Sequence, residues 1–418
     1  MKNLSIKFEN INNSEKIYNL DKTTSSKINK NDSWIKKELK NFPPLNILYK
    51  KNLLDITIEK TIKFSKNKNK FIIFGTGGSN LGSRALINTL CSKEKKIIKF
   101  YDNVDPISFQ TSMQNINVNS TGFIIISKSG QTPETLSQFA CLIELFIQIN
   151  KIKEFYQNCL IITENNSNPL RKIAKNNNCM IIDHESDIGG RFSVFSSVGM
   201  VPAIIAGLDV NKIHKGAIDI IDNIENDNYL NLIKLLPELF AFSDSFKNIK
   251  TSVLMTYSDS LYFFGKWYLQ LWAESVGKLN KGITPIHSIG TTDQHSQLQL
   301  FLDGPKDKFF TFISTNHSNK GLKINYEILN EKPTSYLAGK YMGDLMEAEQ
   351  KATINTFIKK KFYLREIHIP NIDEFSIGQL MALSIVETIL TCRNLEIDAF
   401  NQPAVEEGKL LTKEYLSS

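Results

Sequence analysis

The sequence predicts an α/β protein with two domains, each a parallel sheet sandwiched by helices. The chain has 418 residues, more than one hydrophobic core usually serves. From Phe71 onward, short apolar runs alternate with helical periodicity, a pattern typical of βαβ units. A mainly helical stretch near residues 208–230 interrupts the alternation, which then starts again. We predict an N-terminal, mainly helical extension at 1–69, domains at 70–210 and 211–395, and a C-terminal segment at 396–418.

The first domain is predicted from apolar runs of three to five residues, each followed by a helical pattern. Runs of this kind indicate buried parallel strands. Helices are predicted at 33–39 and 54–64 in the extension, and a helix at about 198–207 closes the domain. The predicted strands lie at residues 71–74, 97–101, 122–126, 159–162 and 180–182.

The second domain repeats this pattern after a mainly helical segment at 211–246. Here longer helical patterns separate the apolar runs, which again favours a parallel sheet covered by helices. Strands are predicted at 252–256, 309–313 and 362–369, and helices at 261–276, 336–359 and 376–392.

Composition favours a soluble, cytoplasmic protein. The net charge of +7 comes from lysines scattered among asparagines, so no nucleic-acid-binding surface is expected. No apolar run approaches the roughly 20 residues that span a bilayer, and the start lacks an apolar signal segment, so no membrane contact is expected. The five cysteines are widely spaced and the six histidines lack metal-ligand spacing. We therefore predict neither a disulfide framework nor a metal site.

The first candidate binding loop is Gly75-Thr76-Gly77-Gly78-Ser79-Asn80-Leu81-Gly82, between a predicted strand and a predicted helix. Glycines after a strand let backbone N–H groups approach an anion, and the helix start adds a positive dipole end. A dinucleotide-binding loop is the alternative, and Asp102 after the next strand is compatible with it. Asn80, however, stands where that fingerprint needs Gly or Ala. No Walker lysine follows, which excludes a nucleotide P-loop.

The second candidate loop is Ser127-Lys128-Ser129-Gly130-Gln131-Thr132-Pro133-Glu134-Thr135, again between a strand and a helix. Thr132 is a natural N-cap and Pro133 suits the first helical turn. Capping alone would use one or two hydroxyls, whereas Ser127, Lys128, Ser129 and Thr132 form a larger polar cluster. Because a glycine loop accompanies it, we predict that this cluster binds phosphate.

Two further segments contain candidate reactive groups. Arg191 follows the pair Gly189-Gly190 and could stabilise a developing oxyanion, although a lone arginine more often forms a structural salt bridge. Glu274 lies in an apolar, aromatic helical stretch, with Gln270 one turn earlier on the same face. Helix carboxylates are usually solvated, but these neighbours favour partial desolvation, which makes Glu274 the best candidate for a proton-transfer base.

His295 and Lys409 are weaker candidates when each is considered by itself. His295 lies in the loop Gly290-Thr291-Thr292-Asp293-Gln294-His295-Ser296, where a histidine can donate a proton near neutral pH or can simply be a surface residue. Lys409 ends the string Phe400-Asn401-Gln402-Pro403-Ala404-Val405-Glu406-Glu407-Gly408-Lys409. A lysine near the C-terminus is usually solvated. Spacing alone assigns neither residue to catalysis.

Taken in order, these segments resemble the glucose-6-phosphate isomerase (phosphoglucose isomerase) family. The similarity extends from about Phe71 to Lys409, and six ordered matches are more specific than any one of them. The resemblance implies two sugar isomerase domains and a homodimer that needs no cofactor. The matching strings are Gly75 to Ser79, Ser127 to Thr135, Gly189 to Val194, Gln270 to Lys278, Gly290 to Ser296 and Phe400 to Lys409.

The resemblance also implies a role for each candidate residue. Glu274 would move a proton between C2 and C1 of the sugar through a cis-enediol, with Gln270 beside it and Arg191 stabilising the enediolate. His295, contributed to the active site of the partner subunit, and Lys409 would help to open the sugar ring. The remaining residues would bind substrate: Ser127, Lys128, Ser129 and Thr132 the phosphate, with Gly78 and Ser79 at the substrate's edge.

Three alternatives remain open at this point. The Ser-Gly-Gln-Thr version of the phosphate loop also resembles bifunctional phosphoglucose/phosphomannose isomerases, so mannose 6-phosphate could be a second substrate. A non-catalytic sugar-phosphate-binding module would bind without isotope exchange, but the combination of Glu274, Arg191, His295 and Lys409 argues against it. A dehydrogenase would bind nicotinamide at residues 75–78, which Asn80 disfavours.

Overall fold

The computed structural model describes residues 4–11, 32–90 and 96–417, and within them it contains two five-stranded sheets. The first strand of the chain, β1 (Ser5–Glu9), belongs to the second sheet. The first sheet has the order β3-β2-β4-β5-β6, with all strands parallel. Its strands are β2 (Lys70–Phe74), β3 (Ile97–Tyr101), β4 (Thr121–Ile126), β5 (Cys159–Glu164) and β6 (Met180–His184).

Helices cover both faces of the first sheet, so alternate side chains of one strand enter different cores. Ile72 and Phe74 of β2 belong to one core cluster, and Phe71 and Ile73 belong to another. Burial on both faces explains why these strands are unbroken apolar runs, as predicted. The helices of this half are α1 (32–38), α2 (Pro43–Asn46), α3 (Lys51–Ser65), α4 (Gly78–Leu90), α5 (Pro106–Ser112), α6 (Pro133–Gln148), α7 (Ile152–Gln157), α8 (Pro169–Asn176) and α9 (Ser197–Ile205).

The second sheet has the order β1-β10-β9-β7-β8, in which β1 is antiparallel to β10 and the other neighbours are parallel. The predicted parallel sheet is thus confirmed, and an antiparallel edge strand extends it. Neither edge strand, β1 nor β8, was predicted. Pro285 in β8 argues against a strand from sequence, yet an edge tolerates proline because one side of the strand needs no backbone donor. The remaining strands are β7 (Thr251–Thr256), β8 (Thr284–Ile289), β9 (Lys308–Thr315) and β10 (Leu364–Ile369).

The predicted helices of the second half are confirmed except at one start. The helix predicted from 336 begins at Met342, because Gly339 adopts a positive φ of 72° and Asp344 then caps the Tyr341 N–H at 2.8 Å. The helices are α10 (Val210–Asp222), α11 (Asp227–Phe242), α12 (Tyr262–Val276), α13 (Leu298–Asp303), α14 (Tyr326–Leu329), α15 (Met342–Lys359), α16 (Glu374–Asn394) and α17 (Glu406–Ser417). Of these, α13, α14 and α17 were not predicted.

Two helix pairs contribute to one large hydrophobic core. One of them, α10 on α16, lies within the second half, and the other, α4 on α12, joins the two halves; α4 begins inside the glycine loop at Gly78, and α12 contains Glu274. Among the described residues, α16 alone is long and apolar enough to cross a membrane, but 94% of that stretch is buried inside the molecule, so it is a core helix. The packing of α4 on α12 brings the glycine loop to Glu274.

The predicted extension, residues 1–69, lies partly outside the described residues, because 1–3 and 12–31 are not among them. Its described part contains α1 and α3, in agreement with the two helices predicted there, and also α2 and β1, which were not predicted. The domain boundaries at 70, 211 and 396 stay predictions.

Candidate active site

The glycine loop is packed so closely against its neighbours that two of its glycines are required. Gly77 has a positive φ of 53°, and a Cβ on it would lie 2.8 Å from Nε2 of Gln270. A Cβ on Gly78 would lie only 2.0 Å from the carbonyl carbon of Gly190. These contacts bring the loop to both Gln270 and the turn that precedes Arg191. Three segments distant in sequence therefore meet at one place.

The second loop lies beside the glycine loop because β2 and β4 are adjacent parallel strands whose carboxyl ends share one edge of the sheet. Ser127 follows β4 and is buried, and its hydroxyl is 2.8 Å from that of Thr132. Thr132 occupies the N-cap of α6 as predicted, but its side chain caps no backbone N–H. Its hydroxyl pairs with Ser127 instead, so the two hydroxyls form a polar pair at the start of a 16-residue helix.

Lys128 and Ser129 complete this loop and differ in their surroundings. Nζ of Lys128 lies 3.6 Å from the carboxylate of Glu164, and the lysine is partly exposed. The backbone N–H of Gln131 donates to Oγ of Ser129 over 3.2 Å. The loop thus presents a cation, three hydroxyls and the N-terminus of α6, groups that together suit a phosphate.

Glu274 is held by two side chains that position its carboxylate. Gln270 donates from Nε2 to Oε1 over 2.9 Å, and Arg191 Nη1 lies 3.3 Å from Oε2. The pair Gln270 and Glu274 is thus one turn apart on α12, as predicted. The Glu274 side chain is one-third exposed, at 33%, so it is partly desolvated but still reachable. A carboxylate in this setting can accept a proton from a substrate carbon.

Arg191 uses every N–H group of its guanidinium. Besides Glu274, it donates from Nε to Ser275 Oγ over 2.8 Å and from Nη1 to Gln402 Oε1 over 3.1 Å. From Nη2 it donates to the carbonyls of Ala399 and Asn401, over 2.6 and 3.0 Å. Burial lowers the pKa of Arg191, and the adjacent carboxylate opposes that shift. An arginine keeps its charge in such a site, so a fixed cation lies beside Glu274.

Sequence reasoning missed several of these partners. Ser275 follows Glu274 directly, and Asn401 and Gln402 lie in a string that was considered only for Lys409. Lys278, four residues after Glu274, was also missed, although its Nζ binds the same C-terminal segment as Arg191. A polar residue next to a candidate base was the only available signal, because the other contacts join residues that are far apart in the chain.

A cavity of about 760 Å³ opens beside Glu274. Its wall consists of the end of α12, the loop that follows, and residues 397, 398 and 401–405, and it includes Lys278. Glu274 lines this cavity, whereas Gln270, its neighbour toward the glycine loop, does not. A molecule in the cavity can therefore reach the carboxylate.

His295 and Lys409 lie apart from this cluster in the described chain. His295 follows a short turn after β8 and is exposed. Lys409 lies on α17, where its Nζ is 2.6 Å from Glu406, and every residue from 401 to 417 is exposed. Within the described residues, no hydrogen bond or ion pair joins either side chain to Glu274 or Arg191. His295 and Lys409 are thus the two predicted reactive residues that lie apart from Glu274 and Arg191.

Comparisons with known proteins identify the family of this chain. The phosphoglucose isomerase family model matches residues 60–418. A probable glucose-6-phosphate isomerase of Methanococcus maripaludis is 34% identical over 360 residues, which are 85% of this chain and 80% of that protein. The glucose-6-phosphate isomerase of Methanocaldococcus jannaschii is 33% identical, over 85% of this chain and 87% of that protein.

Solved structures show the same fold at lower identity. A hypothetical protein from Thermus thermophilus superposes with a TM-score of 0.85 at 24% identity, covering 99% of this chain and 100% of its own. A glucose-6-phosphate isomerase from Chlamydia trachomatis superposes with a TM-score of 0.74 at 20% identity, covering 88% of this chain and 73% of its own. The fold, the family model and the relatives agree: this chain belongs to the phosphoglucose isomerase family.

Proposed function

We propose that this protein interconverts D-glucose 6-phosphate and D-fructose 6-phosphate in glycolysis and gluconeogenesis, as a cytoplasmic homodimer without a cofactor and without nucleic-acid or membrane partners. The observation on which this rests most is the Gln270–Glu274–Arg191 group beside the glycine loop. Isomerisation of an aldose to a ketose requires a base at carbon and a cation near the oxyanion that forms. It requires neither a metal nor a nicotinamide.

Glu274 acts as the base in this proposal. With the sugar open, it takes the proton from C2 of the aldose and returns it to C1 through a cis-enediol, and the reverse direction uses the same group. Arg191 stabilises the enediolate. Because all its N–H groups are occupied, the substrate oxyanion displaces the longest of its contacts, those of Nη1 to Glu274 and Gln402. Gln270 keeps the carboxylate in place.

The phosphate is bound away from the reacting carbons. Ser127, Lys128, Ser129 and Thr132 hold it at the start of α6, with Gly78 and Ser79 at the edge of the sugar. The closeness of this loop to the glycine loop supports the assignment. Binding energy at the phosphate, a group distant from the reacting atoms, orients C1 and C2 over Glu274.

The exposed position of His295 supports a shared active site, because one chain does not bring this residue to Glu274. In the dimer, His295 from the partner and Lys409 assist ring opening. Large apolar side chains, Leu322, Ile328 and Tyr336 among them, are exposed after β9, which also favours association.

Turnover of fructose 6-phosphate tests the function. We expect the purified protein to convert it to glucose 6-phosphate, observed by NMR, and to leave unphosphorylated fructose unchanged. Mannose 6-phosphate is the parallel assay, because the Ser-Gly-Gln-Thr loop resembles that of bifunctional isomerases. Binding of fructose 6-phosphate without any conversion would identify a binding module instead and overturn the proposal.

Subunit mixing tests the shared site. Glu274→Gln and His295→Ala homodimers are each expected to be inactive. If His295 serves the partner, a mixed dimer contains one site with both residues intact, so random mixing restores about a quarter of the wild-type activity. Both proteins at the same concentration, unmixed, are the control. No recovery after verified subunit exchange would contradict a shared site.

A further inference from the structure

We propose that Lys278 is a positioning residue for this active site, an inference that rests on the proposed function. Its Nζ donates to the carbonyls of Asp398 and Asn401, the latter over 2.6 Å, and to Oδ1 of Asn401 over 3.1 Å. An ammonium group has three donors, and these three acceptors use all of them. Lys278 is therefore committed to the protein and leaves no donor for a substrate.

The segment 398–402 is held by two cations at once. Arg191 binds the carbonyls of Ala399 and Asn401 from one side, and Lys278 binds those of Asp398 and Asn401. The carbonyl of Asn401 thus accepts from both residues. Burial and the charge of Arg191 lower the pKa of Lys278. The two cations repel each other, and the carbonyl oxygens that accept from them offset this repulsion.

Lys278 and Arg191 together clamp residues 398–402. This clamp fixes the orientation of the Arg191 guanidinium and the position of the chain after residue 402. Loss of Lys278 leaves the Asp398 carbonyl and the Asn401 side-chain oxygen without their donor. Fewer contacts then hold the segment against Arg191. Arg191 then loses fixed acceptors on Nη2, and outside the segment, within the described chain, only Ser275 still orients it next to Glu274. The same segment leads directly into α17, which contains Lys409 and has no buried residue of its own.

The chain offers a matched control three residues later. Nζ of Lys281 donates over 2.7 Å to the carbonyl of Leu395, outside the clamped segment. Lys278→Met and Lys281→Met therefore remove the same charge from the same loop, but only the first releases residues 398–402. Lys278→Arg keeps the charge and the donors.

Steady-state kinetics with fructose 6-phosphate test the proposal. We expect Lys278→Met to lower kcat by about 10- to 100-fold, since misplacement of a catalytic group is costly, with KM changed less than about 3-fold. Lys278→Arg should recover part of kcat, and Lys281→Met, which removes a charge from the same cavity wall but leaves residues 398–402 held, should lower kcat much less than Lys278→Met. Hydrogen exchange should rise at 398–402 and in α17 in Lys278→Met alone.

The outcomes separate this proposal from the proposed function. An inactive wild type refutes the function itself, whereas an active wild type with unchanged kcat in Lys278→Met overturns the role of Lys278. An equal loss in Lys281→Met also overturns it, because charge alone would then explain the effect. If Lys278→Met does not fold, Asn401→Ala removes one of the three acceptors, and an unchanged kcat in that variant overturns the proposal.

Discussion

At the scale of single residues, the proposed chemistry depends on a carboxylate with a fixed cation beside it. The sequence predicted Glu274, Gln270 and Arg191 because each has a local signal: an acid in an apolar helix, an amide one turn earlier and an arginine after two glycines. Ser275 has only its place next to Glu274 as a signal, and Gln402 has none. Their role comes from contacts with Arg191 across 84 and 211 positions of the chain, which only the tertiary structure supplies.

Arg191→Lys tests the need for the guanidinium. Lysine keeps the charge but has three donors in place of five, and it cannot bind Ser275, Gln402 and the two carbonyls together. We expect kcat to fall by about 100-fold, because a preorganised oxyanion donor is lost. Arg393→Lys, where the guanidinium stacks 3.7 Å from the Trp34 ring, is the control. Wild-type kcat in Arg191→Lys would show that charge alone suffices.

At the scale of elements, the central feature is the crossing of the glycine loop over the turn at Gly190. Strand and helix signals predicted that both loops follow strands. They did not predict β1 and β8, because an edge strand such as β8 tolerates a proline that argues against a strand, and β1 is a short run in a polar region. Nor does any local pattern reveal that a backbone carbon of Gly190 lies where a Cβ of residue 78 would be.

Gly78→Ala and Gly189→Ala form a matched pair at this crossing. A Cβ at Gly78 would be 2.0 Å from Gly190, so the backbone must move, whereas one at Gly189 would meet only Phe192 at 3.8 Å. We expect Gly78→Ala to lower the free energy of unfolding by about 1–3 kcal/mol and to reduce kcat/KM by more than about 10-fold. Urea unfolding and kinetics measure both. Similar behaviour of the two variants would rule out the close approach.

At the scale of the whole molecule, the proposed active site forms only because the two halves pack together. α4 from the first half and α12 from the second bring their loops into contact, and the C-terminal segment completes the group. Sequence periodicity predicted two α/β units but could not give their relative placement, since that depends on which helix faces bury each other. In the proposed dimer, His295 contacts the active site of the partner subunit, and α17, exposed in the single chain, brings Lys409 to that assembly.

Stability should fall in acid because of buried histidines. Burial lowers the pKa of both His184 and His214 from 6.5 to about 4. Between these values the unfolded chain binds more protons, so the free energy of unfolding decreases as the pH falls from 6.5 toward 4, by up to about 3 kcal/mol per histidine. Above pH 6.5 this contribution is fully present.

His214→Gln isolates that effect from the carboxylates that titrate in the same range. Nε2 of His214 donates to the Phe195 carbonyl over 3.1 Å, a bond that a glutamine amide can replace. We expect the loss of stability between pH 6.5 and 4, measured by urea unfolding, to be smaller in the variant than in the wild type. Parallel pH profiles for the two proteins would show that His214 does not titrate in this way.

Deuterium incorporation during turnover tests the role of Glu274 most directly. The wild type, incubated with fructose 6-phosphate in deuterated water, is predicted to form glucose 6-phosphate that contains deuterium at C2. Glu274→Gln is predicted to incorporate none, while calorimetry still detects sugar-phosphate binding within about 3-fold of the wild-type affinity. Continued incorporation of deuterium by Glu274→Gln would show that another group moves the proton.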